Sequence, residues 1–385
     1  MKSRLASQPI PNSADRLGRF GVRMKDHQFC QRTLTFCVSA AMLAGCGGSQ
    51  PPTDTVPQTF AIATRADRGK SWILSEAKSE DLLYVSDIST DTVLVYSYKT
   101  RAQLGQLTGF GEPYGQCVDA SGDVWITDVA DRVVDEYAHG GSTPLKQLSA
   151  SLGEPVGCSV SPNGDLAVSS DSSLQALKHH ALPFSTQSGV LVYKNASGSP
   201  VSYTNADCDD PASPGYDDKG NLYAEGEEFL SYSNVKGNVC ELPAGGTALG
   251  VIPFLRRDGK KQVGPIGDGS IMWDGEYLMV TLALDQTRLV EAKELTNGSL
   301  QVVRGMRPLD SDCEWGNELR QVFVVGKKNT PVNRSRATVA VAGNELTLGS
   351  CYDDFNAFAY PAGGRQLWSL DVRYAFGESV SLVPR

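Results

Sequence analysis

A short turn followed by a strand recurs from about residue 80 to the end of the chain, and this repeat restricts the possible folds more than any other feature. The clear copies occupy residues 121–126, 163–168 and 219–224, and the weaker ones residues 80–85, 274–279 and 343–348. All copies but the one at 80 carry a glycine in the turn. Glycine suits that place because tight hairpins require a positive backbone φ. Each copy therefore predicts a hairpin leading into a strand.

Two more units accompany each hairpin. A strand, a turn and another strand follow it, beginning for example at residues 93, 133 and 190, and residues 111–119 match residues 153–161 in front of it. Each repeat thus contains four strands in meander order. The hairpins lie at residues 80, 122, 164, 220, 275 and 343, and four-stranded units at this period are typical of β-propellers. We predict an all-β, six-bladed β-propeller with four-stranded blades.

The C-terminus supports this prediction independently. Residues 377–383 resemble the unit that precedes a hairpin, yet no hairpin follows them, and the first repeat lacks such a unit in front. We therefore expect the C-terminal strand to join blade one, which would close the ring and leave no open sheet edge. The 39 Gly and 20 Pro agree with many short strands joined by tight turns.

The chain resembles the NHL-repeat class of six-bladed propellers, and the uncharacterised bacterial propeller lipoproteins, over roughly residues 80–385. Residues 84–87 (Tyr-Val-Ser-Asp), residues 93–96 (Val-Leu-Val-Tyr) and the Gly-Glu-Pro units at 111 and 153 carry this resemblance. It implies the fold but says little about function, because propellers include binding proteins, lyases and hydrolases.

The N-terminal segment resembles a bacterial signal peptide that ends in a lipobox. A basic stretch at residues 24–32 precedes an apolar run at 34–42 and the sequence Leu-Ala-Gly-Cys at 43–46. The apolar run is too short for a stop-transfer helix. The resemblance implies cleavage before Cys46 and lipid attachment at that residue; an ordinary signal peptide is the alternative. We expect Met24 to be the true start.

Three regions follow from these features. Residues 1–45 are expected to be an upstream extension and signal peptide, residues 46–70 a flexible tether, and residues 71–385 the propeller. The tether is rich in Gly, Pro, Ser and Thr and cannot bury enough apolar surface to order itself. Gly47, directly after the lipid site, implies sorting to the outer membrane by the same resemblance. We expect a membrane-anchored lipoprotein of the bacterial envelope that faces the periplasm or the cell surface.

Six cysteines remain after the signal peptide and the lipid site, and an even number in an exported domain predicts disulfides. Topology suggests three pairs, one between neighbouring inner strands and one within each of blades four and six. The alternative is buried free thiols. In that order the predicted pairs are Cys117–Cys158, Cys208–Cys240 and Cys313–Cys351.

Few residues point to catalysis. His139 lies beside a turn. His179 and His180 lie in a long loop, which we interpret as a solvated loop, and on a strand two adjacent histidines would point in opposite directions. No nucleophile elbow, zinc-binding helix or phosphate-binding glycine loop is present. Carboxylates at a propeller mouth can hold Ca²⁺, so calcium is a possible cofactor, but we find no Glu/Asn/Asp set on inner strands and predict no metal site. A solvated acidic rim is the other interpretation of the acidic clusters, which lie near residues 207–218, 225–228, 310–314 and 353–354.

Glu112, Glu154 and Glu378 follow glycines in the units that precede inner strands, and they are expected to lie on one face around the axis. Such a ring could bind a cation or a cationic ligand at the channel mouth; a simple preference of the turn for a polar residue is the alternative. Asp87 and Asp128 follow second strands, and we interpret them as turn-capping residues.

The functional expectation is a lipid-anchored, exported propeller that acts as a non-catalytic binding or scaffolding module. Its ligand would be a protein, a glycan or a small molecule; nucleic acid is disfavoured by a net charge of −9. One alternative is a divalent-cation-dependent hydrolase or lyase with its site at the channel mouth. Another is a structural part of the envelope with no soluble ligand.

Overall fold

The computed structural model of the protein consists, over the residues that it describes, almost entirely of β-strands and the turns between them. It describes residues 69–171, 188–231, 234–261, 270–282, 288–305, 307–310, 318–325, 337–344, 354–360, 362–372 and 375–384. The helices of this part are three short 3₁₀ turns, at Ser75–Ser79, Lys194–Ala196 and Ala206–Cys208. None of its helices is long and apolar enough to cross a membrane.

The described strands form six sheets, numbered here along the chain. Sheet 1 has the order β1-β4-β3-β2-β27 and comprises β1 (Trp72–Ile73), β2 (Leu82–Asp87), β3 (Thr92–Ser97), β4 (Gln103–Leu107) and β27 (Ala375–Ser381). Sheet 2 is the meander β5 (Pro113–Val118), β6 (Val124–Asp128), β7 (Val133–Tyr137) and β8 (Pro144–Ser149). Sheet 3 is the meander β9 (Glu154–Val160), β10 (Leu166–Asp171), β11 (Gly189–Tyr193) and β12 (Val201–Tyr203).

The remaining sheets continue this pattern. Sheet 4 comprises β13 (Gly215–Tyr216), β14 (Leu222–Ser231), β15 (Asn234–Leu242) and β16 (Gly250–Ile252). Sheet 5 comprises β17 (Phe254–Leu255), β18 (Ile271–Trp273), β19 (Leu278–Leu282), β20 (Arg288–Glu294) and β21 (Leu300–Gly305). Sheet 6 comprises β22 (Arg307–Asp310), β23 (Glu318–Val325), β24 (Ala337–Asn344), β25 (Asp354–Tyr360) and β26 (Gly363–Asp371).

Sheets 1, 5 and 6 differ from the predicted four-stranded units by a fifth, short strand at the outer edge. In sheet 1, β1 pairs antiparallel with β4, whereas β17 and β22 pair in parallel with β21 and β26. In each case a segment that leads into the sheet runs along its outermost strand. It thereby satisfies backbone groups that would otherwise form an open edge.

The strand nearest the axis of each sheet is called its inner strand. These are β27, β5, β9, β13, β18 and β23, and each contacts the next, with β23 contacting β27. Their approach is so close that a Cβ atom at Gly115 would collide with the Val156 carbonyl oxygen, and one at Gly377 with that of Tyr114. Glycine is required at both places because any side chain would push the sheets apart.

The apolar core lies between neighbouring sheets. Tyr84 of β2 faces sheet 2 and packs with Val124 and Ile126, whereas its neighbours Leu83 and Val85 pack with residues of sheet 6. Because alternate side chains of a strand point to opposite faces, each sheet contributes apolar side chains to both of its neighbours. This face-to-face packing of successive sheets is the arrangement of a β-propeller, as predicted.

The hairpins that follow the inner strands share one stabilising device. Gly122, Gly164 and Gly220 have φ values of 86°, 83° and 85°, as the repeat predicted. The residue at the end of the inner strand accepts backbone N–H groups of the turn through its side chain. The residues that do so are Asp119, Ser161, Asp217 and Asp274.

Strand β27 pairs antiparallel with β2, with Leu82 opposite Ser381 and Val85 opposite Glu378. This is the pairing expected between the C-terminal strand and the first repeat. The backbone N–H of Val383 adds a hydrogen bond to the Asp81 carboxylate at 2.9 Å. The last strand of the chain is therefore built into the first sheet.

Candidate ligand-binding cavity

A cavity of about 390 Å³ lies at the carboxyl-terminal ends of β5, β9, β13 and β18. One edge of each of these inner strands pairs with the second strand of its sheet, so the other edge is turned toward the axis. The side chains that give the cavity its chemical character are Asp119, Asp217, Asp218, Ser270, Met272 and Trp273. The hairpins after the inner strands form its rim.

The cavity wall is acidic. Three carboxylates line it, and the lining residues of the described chain include no Lys, Arg or His. Asp217 is buried and accepts the backbone N–H groups of Lys219 and Asn221 at 2.9 and 2.8 Å. Asp119 is half-buried and is held in the same way by its own turn, whereas Asp218 is exposed. Two of the three negative charges are thus fixed in position by the hairpins.

Ser270 supplies a second kind of polar group to the wall. Its backbone N–H donates to the Thr281 hydroxyl at 2.8 Å, which fixes its position at the start of β18. The side chain is 2% exposed, and its hydroxyl has no hydrogen-bond partner among the residues that the structure describes. Buried hydroxyls are nearly always hydrogen-bonded, so this oxygen, which has almost no accessible surface of its own, is an exception within the described part of the chain.

A group of three carboxylates extends from the rim into sheet 2. Asp119, Asp123 and Glu136 each place an oxygen within 4.8 Å of the others. Partial burial and, second, the charge of Asp119 raise the pKa of the Asp123 carboxyl above its ordinary value. Lys146 offsets part of this charge through an ion pair to Glu136 at 3.1 Å.

Two of the predicted disulfides are confirmed. Cys117 and Cys158 join β5 to β9 across neighbouring sheets, with 5.5 Å between their Cα atoms, and both residues line the cavity. Cys208 and Cys240 are bonded within sheet 4. The predicted pair Cys313–Cys351 and the predicted lipid site Cys46 lie outside the described residues.

The three glutamates proposed for the channel mouth do not share one position. Glu112 directly precedes β5 and Glu154 begins β9, so these two are equivalent, at the end of the inner strands opposite the cavity. Glu378 lies inside β27, because Gly377 contacts Gly115 in the same way that Gly115 contacts Gly157. The sequence match therefore aligned Gly377 with the wrong glycine. Glu378 and Glu154 are also buried rather than solvated.

The other polar residues singled out in the sequence have mainly structural surroundings. Asp128 accepts the backbone N–H of Asp131 and Asp87 accepts that of Ser89, which confirms both as turn caps. Asp128 also accepts the N–H groups of Gly111 and Glu112. His139 is buried, and its Nδ1 lies 2.6 Å from the Ser381 hydroxyl. The loop histidines, His179 and His180, lie outside the described part of the chain.

Sequence reasoning did not single out the cavity. One sequence feature could have identified it. A residue whose side chain accepts hydrogen bonds recurs directly before the hairpins, and this places Asp119 and Asp217 at the same end of their inner strands. No such feature predicted that Trp273 and Ser270 line the cavity, because both belong to a sheet whose repeat is weak in the sequence.

Comparison with known proteins supports the fold. No protein-family model and no curated protein matches the chain. A protein of unknown function from Bacteroides caccae is 12% identical, with a TM-score of 0.51, and the alignment covers 78% of this chain and 99% of that one. A chain of the nidogen/laminin complex is also 12% identical, with a TM-score of 0.50 and coverage of 79% and 99%.

Hydrazine synthase from Kuenenia stuttgartiensis is 13% identical, with a TM-score of 0.43. The alignment covers 58% of the present chain and 64% of that one, so the chain spans less than two thirds of that protein. The structural neighbours as a group are propeller-type folds. At 12% identity they establish the β-propeller fold alone.

Proposed function

We propose that this chain is a lipid-anchored, exported, six-bladed β-propeller that acts as a non-catalytic binding module through the cavity at the ends of its inner strands. The observation that carries the proposal is the cavity itself. It brings carboxylates that are fixed by their own turns and a tryptophan side chain to one concave space, which suits the binding of a small ligand.

The six-bladed, closed form of the propeller is part of the proposal. The unbroken series of contacts from β27 through β23 and back to β27 supports it, as does the pairing of β27 with β2. A closed ring has no open sheet edge, which favours a monomeric binding domain.

Export is supported by the two disulfides. Disulfides persist in oxidising compartments and are rare in the cytosol. The signal peptide, lipid attachment at Cys46 and the 46–70 tether would place the domain, residues 71–385, in the bacterial envelope at the outer membrane. The membrane is then a partner through the lipid, and the cavity remains open to a soluble ligand.

The lipid anchor is tested by Cys46→Ala. We expect the variant to leave the membrane fraction and to keep the melting temperature of the domain, because only the lipid attaches it. A variant that still sediments with membranes, without acyl chains on other residues, would show that the lipobox interpretation is wrong.

The binding function is tested by native mass spectrometry of the protein extracted from membranes in mild detergent. We expect the wild type to carry a bound small molecule and Pro162→Trp to lose it, because Pro162 lines the cavity and a tryptophan there fills it. Asn163→Trp is the matched control, since Asn163 is the next residue of the same exposed turn and does not line the cavity. A wild type without ligand would favour a structural role in the envelope.

One observation favours the alternative of a divalent-cation-dependent hydrolase or lyase, namely the carboxylates of Asp119, Asp123 and Glu136. A bound ion stabilises the folded state in proportion to the logarithm of its concentration. The alternative therefore predicts that Ca²⁺ raises the melting temperature and that Glu136→Gln abolishes the rise. The binding-module proposal predicts no calcium response in either protein.

A further inference from the structure

We propose that the cavity binds an organic cation, a primary or secondary ammonium group carried on an apolar body. This inference rests on the proposed binding function and adds the chemical class of the ligand. It depends on two features of the wall, which are its charge and its apolar surface.

The negative charge of the cavity wall favours a cation. Asp119, Asp217 and Asp218 face a space without a positive lining residue in the described chain, and the Asp123–Glu136 pair lies directly behind Asp119. A concave site with low-dielectric walls concentrates the field of such charges. The three hydrogen bonds that Asp217 accepts, from the N–H groups of Lys219 and Asn221 and from the Asn221 amide, hold its carboxylate in one position.

The apolar part of the wall requires an apolar body on the ligand. Val118, Val160, Met272 and Trp273 line the same space, so a ligand that fills it needs an apolar body as well as a charge. The face of an indole ring attracts cations, and this attraction is greater for tryptophan than for other aromatic residues. A neutral or anionic ligand would leave the carboxylates uncompensated in a partly desolvated site.

The number of oxygen ligands that each ion needs distinguishes an organic cation from a bare metal ion at this site. Ca²⁺ requires six to eight oxygen ligands at 2.3–2.6 Å. Asp119 and Asp217 each already direct a carboxylate oxygen at two backbone N–H groups of their own turn. An ammonium group needs no such shell, and its N–H groups can donate to the carboxylate of Asp218 at the exposed rim of the cavity.

The test uses benzylammonium as the probe, with benzyl alcohol and benzoate as neutral and anionic compounds of similar size. Isothermal titration calorimetry of the mature domain should show binding of benzylammonium that weakens from 0.05 to 0.5 M NaCl. Benzyl alcohol should bind about ten-fold more weakly or not at all, and benzoate should not bind.

Variants then locate the site. We expect Asp218→Asn to weaken benzylammonium about two- to five-fold, and Trp273→Leu to weaken it by a similar factor. Asp131→Asn is the matched control, because it changes the net charge equally but lies in an exposed turn at the opposite end of sheet 2. It should leave the affinity unchanged.

The possible failures are distinguishable. Equal binding of benzylammonium and benzyl alcohol, no binding of any probe, or an equal loss in Asp131→Asn would each overturn the assignment of the ligand class. If the wild type nevertheless carries a ligand that Pro162→Trp loses, the binding function stands and only its ligand class is wrong. If that ligand is also absent, the proposed function falls together with the inference.

Discussion

Two neighbouring contacts between inner strands have the same geometry and are held together by different chemistry. Gly377 of β27 packs against the backbone of β5 in the same way that Gly115 of β5 packs against β9. The contact between β5 and β9 carries a disulfide, Cys117–Cys158. The contact between β27 and β5 has no disulfide and is held by this packing and by hydrogen bonds.

Those hydrogen bonds form a buried network around Gln116. Its amide nitrogen donates to the Ser86 hydroxyl at 2.7 Å, and its amide oxygen accepts from the Ser379 hydroxyl at 2.8 Å. Ser381 donates to the Gly122 carbonyl at 2.6 Å, so His139 must donate its Nδ1–H to Ser381.

The difference follows from chain connectivity. β5 and β9 are consecutive in the chain, and a disulfide between them closes a loop of moderate length and restricts the unfolded state. β27 must return over more than 250 residues to meet β5 and β2. Its attachment depends on the folded state being complete, so this contact should be the more sensitive of the two to mutation.

The largest effect is expected from deleting residues 377–385, which contain most of β27. The deletion removes the partner of β2, exposes its edge and strips the buried side chain of Val380 from the core. A buried apolar side chain contributes about 1.5–3 kcal/mol, and a whole domain is stable by only about 5–15 kcal/mol. We expect aggregation or a large fall in melting temperature, measured by calorimetry and size-exclusion chromatography.

The control for this deletion removes residues 384–385 only and should melt like the parent. A 377–385 deletion that stays monomeric and melts within a few degrees of the parent would contradict the assignment of β27 to sheet 1 as a stabilising strand.

Removal of the Cys117–Cys158 disulfide between β5 and β9 is expected to have the next largest effect on stability. The double variant Cys117→Ser/Cys158→Ser should lose about 2–4 kcal/mol of unfolding free energy and still fold, because the apolar packing between sheets 2 and 3 remains. Urea unfolding measures the loss. Cys208→Ser/Cys240→Ser serves as the comparison, since that disulfide lies within one sheet.

Peptide mapping without reductant checks the premise. It should find both disulfides in the mature protein, together with Cys313–Cys351, which the sequence predicts. Alkylation of all six cysteines as free thiols would refute the pairing.

Substitution of Gln116 tests the polar contact directly. Gln116→Met keeps the side-chain volume but leaves the buried hydroxyls of Ser86 and Ser379 without their amide partner. Leaving buried polar groups unsatisfied costs about 1–3 kcal/mol. We expect the unfolding free energy, measured in urea, to fall by this amount. In the double variant Gln116→Met/Ser379→Ala, the fall should be much smaller than the sum of the falls in the two single variants.

The smallest effect concerns pH. Burial, as the largest cause, lowers the pKa of His139 below its ordinary 6.5, against the opposing charges of Asp81 and Asp123. The unfolded chain therefore binds the proton more readily, so stability is full above pH 6.5 and falls as the pH drops below it. Thermal unfolding from pH 7.5 to 5 should show this loss.

The variant His139→Asn, which keeps a donor near Ser381 but does not titrate in this range, should show a smaller decline. Because buried carboxylates with raised pKa values, such as Asp135, act in the opposite direction, the informative quantity is the difference between wild type and variant. Parallel curves would mean that His139 does not control this contact.

Local sequence patterns were sufficient for the hairpins, the strand order within each repeat and two disulfides. Gly122 and Gly164 mark turns because only positive φ closes them, and Cys117 and Cys158 could be paired because side chains alternate along a strand. These features depend on residues close in sequence or on the period of the repeat, and the chain carries that information directly.

Other features needed the folded molecule. The prediction that Glu378 and Glu112 occupy the same position was wrong, because a Gly-Glu pair is too short to define how one strand aligns with another. The contact between Gly377 and Gly115 defines that alignment. The extra strands β1, β17 and β22 have no repeat signature, since they occupy free edges of strands formed elsewhere.

The sequence by itself determined that this chain forms repeated four-stranded β-units whose last strand belongs with the first, because turn chemistry and alternation are local properties of the chain. Only the tertiary structure decided where the cavity lies and which side chains share its wall. Asp119, Asp217 and the pair Ser270 and Trp273 come from three different sheets, and they meet only because the close packing of inner strands brings their ends together.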